Sequence, residues 1–183
     1  MVNDHARRQI VLRPAEAGDV GAIAALHAES WRSAYRGLVP DPFLGPALDG
    51  LRLSAWRDRF ASPEPDRRMV VAAWAGDLLV GFTCMLADAE PAFGPLLDNL
   101  HVRPGWRGMG LGARLLNVSR EWARDIAPAQ PMHLWVIEAN TGARRFYRAQ
   151  GALEGERRVN DMAGIEVTAV RCTWPPLPPV VTR

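Results

Sequence analysis

Between Leu96 and Ile126 the apolar residues of this chain change period. Leu96–Val102 is an extended, strand-like run, whereas Leu111, Leu115, Val118 and Trp122 recur at i, i+4, i+7 and i+11, the stripe of an amphipathic helix. The join is Arg103-Pro104-Gly105-Trp106-Arg107-Gly108-Met109-Gly110-Leu111-Gly112. A strand that enters a helix through glycines leaves several backbone N–H groups without intrahelical acceptors, at the positive end of the helix dipole. Such a turn can hold a phosphate with main chain alone, and glycines at 108, 110 and 112 remove the Cβ atoms that keep oxygens away. Taken in isolation, it can equally be a turn that only reverses the chain.

The remaining pattern predicts a strand over 9–13 and then a helix capped by Asp19, with Val20, Ile23, His27, Trp31 and Ala34 at helical spacing until Gly37 and Pro40. A second helix is expected over 48–60 and a proline-containing loop over 62–66. Residues 69–74 and 78–86 read as two strands joined by the hairpin punctuation Ala75-Gly76-Asp77. After a polar connection over 87–95 and the strand–turn–helix unit ending near Ile126 come a strand over 133–137 and a short helix from Asn140 to Gly151. A hairpin of 152–159 with 165–173 closes the chain. The order β-α-α-β-β-β-α-β-α-β-β implies an α/β fold with a largely antiparallel sheet flanked by helices. One domain over 1–174 is expected, followed by a proline-rich tail over 175–183.

Composition removes several functional classes. No stretch approaches the roughly 20 apolar residues of a membrane span, and the first residues are polar, so a cytoplasmic protein is expected. A formal charge of +2 with no basic block argues against nucleic acid. All 22 basic residues are Arg; without lysine there is neither Schiff-base chemistry nor a P-loop lysine. Cys84 and Cys172 lie in apolar runs without metal-ligand spacing and read as buried thiols, and no metal is expected. A homodimer is left open.

Two nucleotide motifs fail on the glycine-rich turn: G-x-x-x-x-G-K-[ST] is absent, and a dinucleotide fingerprint starting at Gly108 or Gly110 meets Leu111 or Ala113 where its third glycine belongs. Arg107-Gly108-Met109-Gly110-Leu111-Gly112 instead resembles the [Q/R]-x-x-G-x-[G/A] signature of the GCN5-related N-acetyltransferase (GNAT) superfamily. The resemblance implies that main-chain N–H groups of 107–112 hold the pyrophosphate of acetyl-coenzyme A, with pantetheine beside the strand ending Leu100-His101-Val102. The run from Leu134 to Gly151 is similar to the family's V-x-x-x-N-x-x-A-x-x-F-Y-x-x-x-G. It implies that Asn140 contacts the cofactor arm and that the Tyr147 hydroxyl lies near the thioester sulfur. Asn140 also reads as a helix N-cap, and Tyr147 also fits a core aromatic beside Phe146. The two would be about 10.5 Å apart along the helix axis.

His27-Ala28-Glu29-Ser30-Trp31-Arg32-Ser33-Ala34-Tyr35-Arg36-Gly37-Leu38-Val39-Pro40 resembles the H-x-E-S-W-x-x-x-Y-R-G-L-V-P opening of one bacterial branch. That places Trp31 and Tyr35 on an acceptor wall, or equally in the core.

The activity implied is acetyl transfer from acetyl-CoA to a primary amine of a small molecule or peptide. An alkylamine has a pKa of about 10.4 against about 8.5 for a thiol, so deprotonating the nucleophile is the harder task. Glu29, Asp98, His101 and Glu138 are the candidate bases; Trp135 stands where some family members carry a Glu. The N–H of Leu100, and after it Val102, is the implied oxyanion donor, and Tyr147 the acid for the departing sulfur. Arg103, Arg107, Arg114, Arg144, Arg145 and Arg148 cluster in these segments and could attract the anionic cofactor. The alternative is a catalytically silent acyl-CoA-binding sensor or regulatory module.

Overall fold

The computed structural model describes residues 9–62, 67–161 and 165–177. They form β1 (Ile10–Pro14), α1 (Val20–Tyr35), α2 (Ala47–Ala61), β2 (Arg68–Ala75), β3 (Leu78–Leu86), β4 (Leu96–Val102), α3 (Leu111–Ile126), β5 (Met132–Ile137), α4 (Thr141–Ala149), β6 (Leu153–Asp161) and β7 (Glu166–Trp174). This is the expected order. The strands run β1-β2-β3-β4-β5-β7-β6 in one seven-stranded, mostly antiparallel sheet, with β4 and β5 as a parallel pair. Most of the expected loop at 62–66, and the tail from 178, lie outside the described residues. Among the described residues no helix is long and apolar enough to cross a membrane.

The chain falls into two compact units, Met1–Cys84 with Asn99–Leu116, and Met85–Asp98 with Asn117–Arg183. In the first, β1 and β2 pair antiparallel from Ile10↔Ala75 to Pro14↔Val71, and a two-residue turn at Gly76 and Asp77 leads into β3. Ile23 and Leu26 of α1, Val80 and Phe82 of β3, and Leu111, Leu115 and Leu116 of α3 are all sealed from solvent. Gly81 is what lets α3 approach β3. A Cβ there would stand 3.0 Å from the His101 carbonyl oxygen and 3.0 Å from Leu115 Cδ1.

Two expectations for these helices are corrected. Asp19 does not cap α1 with its side chain, because a 3-10 turn over Ala17–Asp19 already gives it helical backbone angles. Its carboxylate instead accepts from the Glu16 N–H at 2.9 Å and from Arg13 at 2.7 Å. On α3 the buried stripe is Leu111, Leu115, Leu116, Ser119 and Ala123, whereas Val118 and Trp122 are only half-buried. In the second half of α3 the packed positions carry the small side chains of Ser119 and Ala123, while Val118 and Trp122 lie at the margin of the buried face.

In the second unit β5 pairs antiparallel with β7 from Met132↔Trp174 to Ile137↔Ala169, and β7 with β6, whose register shifts between Glu154 and Arg157. The ladder between β4 and β5 is the single pair Leu96↔His133, where the His133 N–H donates to the Pro95 carbonyl at 3.0 Å. The preceding connection turns at Gly94, whose φ is +78°, and a Cβ there would stand 2.1 Å from the Pro131 carbonyl oxygen. Only glycine meets both conditions. Leu134, Val136, Val170, Cys172 and Trp174 form its core; Cys172 here and Cys84 in the first unit are buried free thiols, as expected.

Candidate functional site

The glycine-rich turn is built from its two ends. Leaving β4, the Arg103 N–H donates to the Val80 carbonyl at 2.9 Å and its Nε to the Leu79 carbonyl at 3.0 Å, which ties the turn to β3. A 3-10 turn over Pro104–Trp106 then buries the Trp106 indole to 2% exposure. Beyond this anchor, residues 107–110 are exposed. Gly108 and Gly110 have φ of +78° and +77°, and a Cβ added at either meets no atom within 4 Å. These glycines serve the backbone conformation and leave open space above it. The Arg114 N–H closes the first helical bond on the Gly110 carbonyl at 3.1 Å, so the N–H groups of Leu111, Gly112 and Ala113 have no intrahelical acceptor. Exposed Met109 and half-buried Gly112 complete the turn.

Arg107 spans from this turn to α1. Its Nε donates to the Val102 carbonyl at 3.1 Å and its Nη1 to Ser33 Oγ at 3.1 Å. Together with the Arg103–Glu29 ion pair, this pins the Glu29–Tyr35 stretch of α1 beside the turn. On that stretch Trp31 and Tyr35 meet edge to face with centroids 5.2 Å apart, both half-buried. Behind them His27 lies 5.6 Å from Trp31 and 4.7 Å from the His101 ring of β4, and Phe82 is 5.1 Å from His101.

The Trp56 indole N–H donates to His27 Nδ1 at 3.0 Å, so this nitrogen is an acceptor and the proton of neutral His27 resides on Nε2. Burial first, then His101, Arg52 and Arg59, push the His27 pKa down to about 2. Burial, then Arg107 and Arg52, push His101 down to about 3. Both rings are neutral at physiological pH.

The candidate bases separate. Glu29 is paired with Arg103, and Glu138 with Arg157 at 2.6 Å. Asp98 is on the exposed face of β4, and His101 holds a proton too weakly to take one from an ammonium group. Leu100 and Val102 are half-buried on β4. Of the clustered arginines, Arg144 is held by Glu154 at 2.7 Å and by the Glu138 carbonyl, and Arg114 by the Ile10 carbonyl at 3.2 Å.

In the second unit Asn140 caps α4, its Oδ1 accepting from the Ala143 N–H at 3.1 Å. Tyr147 is buried, 5.8 Å from Trp174 and 5.2 Å from Phe146, both edge to face. Trp135 donates its indole N–H to the Glu90 carboxylate at 3.0 Å, and Arg158 adds a bond of 2.8 Å. Burial disfavours the charge on Glu90, but the bonds from Trp135 and Arg158 outweigh it and leave the carboxyl below its usual range. Sequence reasoning missed Glu90, Arg52 and Trp56. His27 was within reach, since it sits four residues before Trp31 on the same helix face.

The family model described as the acetyltransferase (GNAT) family matches residues 24–152. The chain belongs to the GNAT acetyltransferase family. This acetyltransferase is 30% identical over 141 residues to a probable N-acetyltransferase of Mycobacterium tuberculosis, covering 75% of this chain and 76% of the relative. Its fold is that of the PaiA N-acetyltransferase of Thermoplasma acidophilum, solved in complex with coenzyme A. There the TM-score is 0.69 at 17% identity, over 88% of this chain and 98% of the other. A GCN5-related N-acetyltransferase from Rhodopseudomonas palustris matches with a TM-score of 0.69 at 17% identity, over 91% and 96%.

Proposed function

We propose that the enzyme binds acetyl-CoA on the main chain of residues 107–112 and transfers its acetyl group directly to a primary amine of a small molecule or peptide. The observation that carries this is the turn itself. Gly108 and Gly110 at positive φ stand under open space, next to the orphan N–H groups of the 16-residue α3. That donor set fits a pyrophosphate. Bound there, acetyl-CoA supplies an activated thioester.

The Leu100 N–H, or after it that of Val102, is assigned to the carbonyl oxygen that gains charge as the amine adds, and Tyr147 to protonating the departing sulfur. Asn140, already spent on the α4 cap through Oδ1, is assigned to the cofactor arm through its remaining amide atoms. Trp31 and Tyr35 are assigned to the acceptor wall, as in the bacterial branch they resemble. With Glu29 and Glu138 in ion pairs, no side chain is assigned as base. The amine enters neutral or gives its proton to water.

The same pairing of candidate bases favours the second reading, a silent acyl-CoA sensor. Thiol release from acetyl-CoA across a panel of amines decides between them. Turnover on any amine supports the enzyme, and calorimetric binding without turnover on all of them supports the sensor.

A further inference from the structure

Two imidazoles in the first unit carry polar atoms that the fold does not use. His27 of α1 and His101 of β4 have centroids 4.7 Å apart, with Trp31, Trp56 and Phe82 packed around them. Phe82 is sealed, whereas His101 is half-buried and His27 keeps 6% of its surface exposed. Because His27 Nδ1 accepts from the Trp56 indole at 3.0 Å, the His27 proton is fixed on Nε2. Among the described residues nothing accepts from that Nε2–H, and no hydrogen bond reaches either ring nitrogen of His101. Sealed polar atoms without a partner do occur, Ser30 Oγ being one, but these three nitrogens are not of that kind and reach the surface. A fixed donor and an open lone pair thus stand side by side next to Trp31 and Tyr35, one residue along β4 from Leu100.

We propose that His27 and His101 bind the acceptor as an α-amino amide, the His27 Nε2–H donating to its carbonyl oxygen and a His101 ring nitrogen accepting from its amine, with Trp56 positioning His27. The amine nitrogen and carbonyl oxygen of such a molecule are about 3 Å apart, short enough for both rings to be engaged at once. The class also suits the protonation problem. An α-amine has a pKa of about 7.7–8.0 against about 10.4 for an alkylamine, so roughly a tenth of it is neutral at pH 7, against less than about a thousandth. With Glu29 and Glu138 in ion pairs, such a nucleophile needs the least help. A free carboxylate beside the amine is disfavoured, because aromatic rings replace its water. In the transfer the amine nitrogen bonds the acetyl carbon as the C–S bond breaks. The amine's proton passes to water and the sulfur is protonated, giving the N-acetyl amide and free coenzyme A.

The inference rests on the acetyl-transfer reading, and its test separates the two. Acetyl-CoA binding is first measured by calorimetry. Thiol release is then followed with phenylalaninamide, the peptide phenylalanyl-alaninamide, phenylalanine and phenethylamine, with kcat/KM expressed per neutral amine so that basicity is divided out. The wild type is expected to prefer phenylalaninamide to phenethylamine and phenylalanine by about tenfold to a hundredfold. Equal use of the peptide extends the class to peptide N-termini. Two variants divide the functions of His27. Asn places Oδ1 where Nδ1 stands and keeps the Trp56 bond, but has no group at Nε2; Gln places a donor at Nε2 and gives up the acceptor for Trp56. His27→Asn should therefore lose the preference through KM of the amide with a melting temperature near wild type. His27→Gln should keep much of the preference at a lower melting temperature.

Equal use of phenethylamine and phenylalaninamide by the wild type overturns the proposal, as does a preference that follows melting temperature across the two variants. Should no amine turn over, the same compounds are titrated into protein loaded with coenzyme A. Heat from phenylalaninamide that vanishes in His27→Asn supports the pair, and no heat overturns it. Failure to bind acetyl-CoA, with that heat from phenylalaninamide still present, rejects the acetyl-transfer reading and not the binding pair.

Discussion

Replacing Gly110 separates the two demands that the glycine-rich turn makes on its residues. Gly110 has φ of +77° and open space where a Cβ would stand, so Gly110→Ala brings no clash and only the cost of a left-handed alanine, about 1–2 kcal/mol. Because residues 107–110 are exposed, that cost is borne by the turn rather than by the core. If the turn relaxes to avoid it, acetyl-CoA affinity falls by about fivefold to thirtyfold. Asn tolerates this conformation better than Ala, so Gly110→Asn should lose less.

Gly110→Asp shares the tolerance of Asn but adds a charge. At ~6 Å, one carboxylate against one phosphate charge costs about 0.7 kcal/mol at the dielectric of water and about 2.8 kcal/mol at an effective value of 20. Against the two charges of a pyrophosphate the loss is about 1.4–5.6 kcal/mol, enough to abolish binding at the upper end. Calorimetry with acetyl-CoA at low and high salt reads the series. The gap between Asp and Asn should shrink with salt, while the Ala penalty should not. Melting temperatures should stay close to wild type throughout. Equal affinities for the wild type and Gly110→Asp would show that no pyrophosphate lies on this turn.

Tyr147→Phe keeps the ring contacts with Trp174 and Phe146, so stability and acetyl-CoA affinity should hold while kcat falls by roughly tenfold to a few hundredfold. A wild-type rate across pH 6 to 9 would make Tyr147 a packing residue only. Gly94→Ala meets both a positive φ and a carbonyl oxygen 2.1 Å from the new Cβ, and should lower stability by more than about 2 kcal/mol in denaturant melts. An unchanged midpoint would refute this. His27 and His101 stay neutral down to about pH 2 and 3 when folded but take up protons near 6.5 when unfolded. Their contribution is full above 6.5 and is lost as pH falls from there toward those values, at up to about 2.7 kcal/mol per pH unit for the pair. Melts from pH 7 to 4 should show this slope, and His101→Gln should roughly halve it; an unchanged slope in the variant would count against the assignment.

The parts of the fold legible in the sequence are those decided within a few residues. The bounds of β4, the Gly76 hairpin and the Asn140 cap depend on alternation, turn chemistry and one side chain reaching three residues ahead. The glycine-rich turn was legible for the same reason. The α3 stripe was misjudged because apolar type was taken for burial, whereas Ser119 and Ala123 pack inward and Trp122 does not. The electrostatics of the candidate site could not be read at all. Trp56 reaches His27 across 29 residues, Glu90 reaches Trp135 across 45, and Arg103 reaches Glu29 across 74. Nothing in local pattern announces such pairs, and they decide which acids remain to act as bases.

The two cysteines have a consequence for a protein exposed to thioesters. Cys84 accepts from Arg59 in the core, and Cys172 is fully buried, its thiol pushed by burial to about 11. Neither sulfur reaches solvent, so neither is accessible to an acyl donor in the folded chain. With no lysine in the chain there is no ε-amine either, so the folded protein resists the slow self-acylation to which reactive thioesters expose ordinary surfaces. The folded chain likewise gives a thiol-detecting dye almost nothing to react with. Any signal in such an assay therefore comes from released coenzyme A or, when the two buried sulfurs become reactive, from the onset of unfolding.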